Sequence, residues 1–241
     1  MRVLNNADFL TLWEAGHRLH PLDRGLLAIR ASLPEALTEP TANDPVADWP
    51  LGRRNRALAE LRTLYFGPRL EGWTTCSQCG EKLEFEVDCR TLAETYEETS
   101  SRTIAVQGNT FRLPTSRDLA RIAEETDLPR AALLLLEHCA VDRSSTEPPI
   151  WSESEIEEVT TEMARADPLA EIALDFECPV CRHTSEELLD LPSFLWAEIE
   201  TRARRLLLEI HALASHYGWA ESAILAMSDL RRAAYLQMVQ A

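Results

Sequence analysis

The chain has 241 residues, 45% of them hydrophobic and 7% aromatic, which is enough apolar material for one substantial core or two small ones. That composition excludes a disordered chain, and the longest apolar run, Ala131 to Val141, is broken by Glu137 and His138 and too short to span a bilayer. The net charge is −16, with 26 acids against 10 bases in residues 81–190 and balanced charge on either side, so phosphates are repelled from the middle of the chain.

In chain order, Asn6 caps a first helix with Phe9, Leu10 and Trp13 on its apolar side. Leu22 to Leu33 reads as a second helix with Leu22, Leu26, Ile29 and Leu33 as its buried stripe, ended by Pro34. Residues 38–50 are a loop punctuated by Pro40, Pro45 and Pro50. A helix over Leu51 to Phe66 follows, with Ala57, Leu58, Leu61, Leu64 and Tyr65 at helical spacing and Gly67-Pro68 as its stop.

That helix leads to Cys76-Ser-Gln-Cys79, which runs into the alternating stretch Leu83-Glu-Phe85-Glu-Val87. A second pair, Cys178-Pro-Val-Cys181, follows Ile172-Ala-Leu174-Asp-Phe176 and precedes Thr184-Ser-Glu-Glu-Leu188. Strand, cysteine turn, strand, twice over, is the pattern of a zinc ribbon, and four thiolates are the ligand set of one tetrahedral structural zinc. Two disulfides, a thioredoxin-like redox pair and free buried thiols are the competing readings. No signal peptide is visible, and reduced thiols in the cytoplasm, the expected compartment, count against disulfides. Strand rather than helix flanks count against the redox pair. Zinc is therefore the preferred reading. Four sulfurs close the coordination sphere to water, which favours a structural over a catalytic ion. His183 is expected beside the site in the turn, and Cys89 and Cys139 in the core.

Between the two pairs, Arg90 to Tyr96 reads as a short helix or turn. Thr103 to Val106 and Thr110 to Leu113 read as a hairpin with Gly108-Asn109 at its turn. Thr115 or Ser116 caps a helix through Glu125, and Pro129 starts another through Val141. Residues 143–151 form a loop, and Ser152 to Ala166 an acidic helix with Ile156, Val159, Thr160 and Met163 inward. Its glutamates at 153, 155, 157 and 158 suit a helix N-terminus and a solvated face better than a metal site. Ile104, Phe111, Ile122, Leu133 to Leu136 and Met163 are expected to pack together in this acidic lobe.

After the second pair, Leu195, Ile199, Arg202, Leu206, Ile210, Leu213 and Tyr217 recur at three- and four-residue spacing on one amphipathic helix, opened near Pro192-Ser193 and closed by Gly218. His211 and His216 read as structural histidines on or near this stripe. Trp219 to Met227 and Asp229 to Val239 read as two shorter helices. The expected architecture is α+β and mainly helical. Residues 1–70 form an N-terminal helical region and 71–90 with 170–191 a zinc ribbon. Residues 91–169 make an acidic helical insertion with a β-hairpin, and 192–241 the C-terminal helices. No phosphate loop, nucleophile elbow or His-Glu-x-x-His helix is present. The residues alone point to an interaction or scaffold protein and not an enzyme.

Several stretches together resemble a known family. They are Pro50-Leu-Gly-Arg-Arg54-Asn-Arg56 with Leu61-Arg-x-x-x-Phe66-Gly-Pro68, the first cysteine pair with Leu83-Glu-Phe85, Leu113-Pro-Thr-Ser116-x-Asp118-Leu119, Ala166-Asp-Pro168, and the second pair. Further on come Phe194-Leu-Trp-x-Glu-Ile199, Glu209-Ile-His-x-Leu-Ala214-x-x-Tyr217-Gly-Trp219-x-Glu221 and Ile224-Leu-x-Met-Ser228-x-x-Arg231-Arg232-x-x-Tyr235-Leu. The chain resembles the T-even-type phage baseplate proteins described as baseplate hub assembly chaperones, with relatives among phage-tail-like contractile injection systems. The likeness covers nearly the whole chain and is densest from Pro192 onward.

The resemblance implies a non-enzymatic assembly or structural role, with baseplate or tail proteins as partners and no nucleic acid, membrane or small-molecule substrate. Cys76, Cys79, Cys178 and Cys181 match its zinc-bearing members, and no catalytic residue carries over. With no secretory, transit or lipidation signal visible, the expected site of action is the cytoplasm, with retention in the tail particle left open. Arg231, Arg232 and Tyr235 are the expected partner-binding residues, as cationic and aromatic anchors on helices richer in apolar surface than their length requires. The alternative is a zinc-ribbon adaptor for nucleic acid or the transcription machinery, which the acidic middle opposes. A zinc hydrolase would need an open coordination position.

Overall fold

The computed structural model describes residues 1–33, 44–96, 103–141 and 151–240. Pro34, the loop residues 38–43 and the polar stretch 142–150 lie outside them. The described residues are mainly helical with three separate two-stranded antiparallel hairpins, an α+β architecture. They divide into two compact units, Met1–Glu39 with Pro192–Ala241, and Pro40–Leu191. The expected helical region 1–70 is thus split, because its third helix packs on the short helix that follows the first hairpin and joins the second unit.

The first unit is all helical. Helix α1 (Asn6–Gly16) is capped by Asn5, one residue before the expected Asn6, because Asn5 and Asp8 satisfy each other's amides in a capping box. Helix α2 (Pro21–Ala31) starts with Pro21, and its Leu26 and Ile29 are buried. The long C-terminal helix (Leu191–Tyr217) contributes Leu195, Ile199, Leu206, Ile210 and Leu213 to the core, as its periodicity requires. Arg202 on that stripe lays its guanidinium 4.1 Å from the Phe9 ring and donates to Asn6 Oδ1, so its charge stays solvated by protein groups. His211 and His216 are exposed, off the stripe rather than structural core residues. Of the two last helices, the first is only one turn (Glu221–Leu225), and the second is Asp229–Gln240.

In the second unit, helix α3 (Leu51–Phe66) has the expected bounds and buries Leu58 and Leu61, but Leu64 is exposed. Strands β1 (Arg69–Thr75) and β2 (Lys82–Asp88) form the first hairpin, with Gly72 opposite Phe85. Asp88 caps α4 (Cys89–Thr95). Strands β3 (Thr103–Val106) and β4 (Asn109–Arg112) turn through Gln107 and Gly108, both with positive φ (49° and 81°), so the tight turn lies one residue earlier than Gly108-Asn109. Helices α5 (Ser116–Ile122), α6 (Leu128–Cys139) and α7 (Glu153–Ala166) follow. Strands β5 (Ala173–Glu177) and β6 (Thr184–Leu188) make the third hairpin, and the long C-terminal helix is then α8, followed by α9 and α10.

A local core gathers Val106, Phe111, Leu136 and Val159, with Ile104, Trp151, Ile156 and Met163 packed against it. Leu133 and Thr160, expected inside, are exposed. The glutamates of α7 do the work of a helix start: Glu155 reaches back to Ser152 in a capping box, and Glu158 accepts from Gln107. Cys89 and Cys139 are buried core residues, and neither forms a disulfide.

Beside this core runs a belt of buried polar groups. The fully buried Asp118 takes a bidentate bond from Arg112 (2.5 and 2.6 Å) and accepts from Thr115 through both its amide and its hydroxyl. Arg112 also donates to the His138 carbonyl, which ties β4, the start of α5 and the end of α6 together. Burial alone would raise the Asp118 pKa. The hydrogen bonds from Arg112 and Thr115 prevail and hold it below the usual carboxylate range.

A depressed folded-state pKa gives stability that is complete above the unfolded value of about 4 and lost as pH falls through the folded value. Asp118→Asn should therefore cost about 3 kcal/mol near neutral pH, the scale for removing one partner of a buried ion pair. The gap between the two proteins should close below about pH 4. Denaturant titrations of both proteins across that range check it, and a gap that persists at low pH contradicts it.

Candidate metal centre

Each of the outer hairpins of the second unit ends its first strand in a cysteine pair. The two turns have the same backbone plan. Cys76 N–H donates to the Glu81 carbonyl and Gly80 N–H to the Cys76 carbonyl, at 2.8 Å each. Cys178 N–H donates to the His183 carbonyl and Arg182 N–H to the Cys178 carbonyl, at 2.9 Å each. The residue after the second cysteine turns left-handed in both, Gly80 at φ 75° and Arg182 at φ 60°. Glycine takes that conformation without strain, whereas Arg182 holds it and forms an exposed ion pair with Glu177.

The turns face each other and bring Cys76, Cys79, Cys178 and Cys181 together, as their spacing predicts. All four sulfurs lie within 4.8 Å of one another. Cys76 and Cys181 stand at 3.6 Å, as do Cys79 and Cys178. Both distances are far beyond a disulfide bond of about 2.05 Å. Thiolates about 2.3 Å from a central ion form a tetrahedron with edges of about 3.8 Å, so the cluster fits a metal ion with small adjustment. Cys76 and Cys178 are buried, whereas Cys79 and Cys181 face outward. Leu83 and Phe176 pack against the buried pair, and Phe176 meets Phe85 edge to face at 5.9 Å between centroids.

The electrostatics of the cluster favour a cation. Amides of Gln78 and Cys79 aimed at the Cys76 sulfur draw its pKa down to about 7. The Glu81 amide favours the Cys79 thiolate too, but partial desolvation and the neighbouring sulfurs prevail and push it up to about 12. Four anions cannot share so small a space unless positive charge sits among them. His183 is no ligand: its Nε2 lies 3.2 Å from Ser77 Oγ, so it reaches across to the opposite turn.

The three residues expected to bind a partner are placed differently. Arg232 is buried and pairs with Glu209 at 2.6 Å and Asp229 at 2.8 Å, which gives it a role inside its own unit. Arg231 is exposed, with its guanidinium 5.8 Å from the Tyr235 ring. Tyr235 packs edge-on against Trp219, which stacks on Tyr217.

A second polar junction escaped the sequence reading. Gly52 N–H donates to Asp167 Oδ2 at 2.8 Å, so Asp167 caps α3 from 115 residues away. A Cβ on residue 52 would stand 1.8 Å from Asp167 Oδ1, which requires glycine there. The buried Arg54 donates to Asn55 and Ser116, and Asn55 donates to the carbonyls of Leu169 and Ala170. Burial, opposed by the Gly52 amide and by Arg54, raises the Asp167 pKa. Pro50, which has no capping side chain, was the available signal that α3 needs a cap from elsewhere.

No protein-family model, curated protein or solved structure matches the chain.

Two outcomes are expected at this centre. Elemental analysis should find one metal ion per chain. Cys178→Ser should lower that ratio and destabilise the chain, with an upper bound on the order of 10 kcal/mol, the scale of metal-coupled folding in small finger peptides. Metal affinity should also fall with pH, since protons compete for thiolates. Separately, Gly80→Ala should cost about 1 kcal/mol through backbone strain alone, because the space around it is open. Arg182→Gly should be nearly neutral, as relief of strain offsets glycine's chain entropy. Denaturation midpoints of the metal-loaded variants check both.

Proposed function

We propose that this chain is a non-enzymatic assembly or structural factor for the baseplate of a contractile phage tail or phage-tail-like injection system, stabilised by one structural zinc. The observation that carries the reading is where the resemblance residues lie. Pro50 to Arg56, Leu113 to Asp118 and Asp167 are far apart in sequence, yet they form one buried junction. Pro50 bridges Thr115, Arg54 meets Ser116 and Gly52 meets Asp167. That these residues depend on one another supports reading the resemblance stretches as one unit.

Zinc is the ion that four thiolates in a compact tetrahedral cluster favour, and four sulfurs leave no position for a reacting water. The paired cysteine hairpins then form a zinc ribbon whose work is to hold the second unit in shape. Nucleic-acid binding is disfavoured by the exposed acids on the ribbon strands, among them Glu71, Glu84, Glu86, Glu177 and Glu187. We place the partner surface on the last helix, where Arg231, Tyr235 and Met238 fall at i, i+4 and i+7; Met238 is 64% exposed.

The test is genetic and biochemical together. In cells producing the particle, the tagged chain should co-purify with baseplate or tail proteins, and its deletion should leave tails without complete baseplates. Arg231→Ala with Met238→Ala should weaken that association while the protein stays folded, whereas Arg232→Ala should destabilise the fold itself. Fully contractile particles assembled without the chain would overturn the reading. A shift of nucleic acid at low salt would favour the adaptor instead, and iron in place of zinc on elemental analysis would correct the metal.

A further inference from the structure

All four sulfurs lie within 4.8 Å of one another, and two of the contacts among them are direct sulfur–sulfur hydrogen bonds at 3.6 Å. Each of the two pairs at 3.6 Å joins one outward-facing sulfur to one buried sulfur, Cys181 to Cys76 and Cys79 to Cys178. Each pair also joins one hairpin to the other, not the two cysteines of one Cys-x-x-Cys turn. A sulfenic acid formed at one sulfur of such a pair condenses with a neighbouring thiol that it can approach.

We propose that the metal centre is an oxidation site that converts to two disulfides across the hairpins, Cys76–Cys181 and Cys79–Cys178, with release of the ion. The oxidant class is a peroxide. One thiolate of a pair attacks one peroxide oxygen and expels hydroxide, giving a sulfenic acid. The other thiolate of the same pair then attacks that sulfur and expels a second hydroxide as the S–S bond forms. Each disulfide consumes one hydrogen peroxide and two thiolates and yields two hydroxides. Two such events remove all four ligands, and the ion leaves with no donor set to hold it.

The structural consequence is specific to this pairing. Bonds within each Cys-x-x-Cys turn would free the hairpins from each other once the metal had gone. Bonds across the hairpins keep positions 76–79 fastened to 178–181, so the oxidised chain retains the connection that the ion supplied. The centre would then pass between two cross-linked states, one held by metal and the other by sulfur.

The inference about ion release rests on the metal reading above, while the pairing rests on the sulfur geometry alone, and one experiment separates them. Metal-loaded full-length protein is treated with hydrogen peroxide while a chromophoric chelator follows ion release. It is then alkylated, digested with trypsin without reduction and analysed by mass spectrometry. Cleavage after Arg69, Lys82, Arg165 and Arg182 places each cysteine pair on its own peptide, residues 70–82 and 166–182. The expected product is those two peptides joined, with their combined mass reduced by four hydrogens. Fragmentation should assign Cys76 to Cys181 and Cys79 to Cys178, and ion release should match the loss of free thiols. Separate peptides, each closed by its own internal disulfide, would overturn the proposal. So would sulfinic or sulfonic acids without any disulfide, or four thiols left intact after peroxide has oxidised a control dithiol. Protein that carries no ion before oxidation but gives the cross-hairpin product would sink the metal reading and leave the pairing standing.

Discussion

The second unit depends on the meeting of four sulfurs. A two-stranded hairpin is marginally stable in water by itself, and β1–β2 and β5–β6 are each two-stranded with both edges open. Their shared apolar contacts are few: Leu83 and Phe176 against the buried cysteines, and Phe85 against Phe176. Alternate residues on these strands are exposed, and many of them are acidic. Neither hairpin has a hydrophobic face large enough to hold the other. A cation held by the four sulfurs would remove thiolate repulsion and fix both turns at once, and so would help strands so poor in apolar residues to keep their register.

The buried polar belt is a different kind of constraint. Arg54 is almost fully enclosed, and burial draws its pKa down to about 10 against the pull of Asp190 and Asp167. Its hydrogen bonds to Asn55 and Ser116 offset part of that desolvation, but apolar residues of the same volume would often be at least as stable. What the polar groups supply is direction. The Gly52 amide donates only to an acceptor in line with it, and Asn55 fixes the two successive carbonyls of Leu169 and Ala170. An apolar contact tolerates sliding by an ångström, whereas these bonds do not, so the belt sets the register of helix α3 against the segment entering β5.

Elements governed by local chemistry were legible in the sequence. The bounds of α3, the strands around each cysteine pair and the long α8 follow from periodicity and from Gly and Pro punctuation. The clustering of the four cysteines was legible because spacing, residue type and strand context agreed. What failed to show was set at a distance. Asp167 as a cap for α3 has no sequence signature, since cap and helix lie 115 residues apart. Arg232 looked like an exposed anchor because its partner Glu209 lies in another helix. The first seventy residues looked like one region because helical pattern says nothing about which helix packs on which. Smaller errors had local causes: Asn5 competes with Asn6 for one cap, and Gln107 takes a left-handed conformation that Asn109 suited equally well.

The two long-range ties act on the same pair of segments. Asp167 and Leu169 bind Gly52 and Asn55, and Cys178 and Cys181 meet Cys79 and Cys76. Residues 167–181 are therefore fastened to residues 52–79 at both ends, by hydrogen bonds at one and sulfurs at the other. Once one tie forms, the second closes a much shorter effective loop, and the entropy of closing a loop grows only slowly with the chain between. The intervening residues are then free to differ in character from the segments that hold them. They carry most of the excess acid and have their own core around Phe111 and Leu136. The chain thus confines its most negative stretch to a lobe bounded by these two ties, and Thr115 and Ser116 at that lobe's inner side join the first of them.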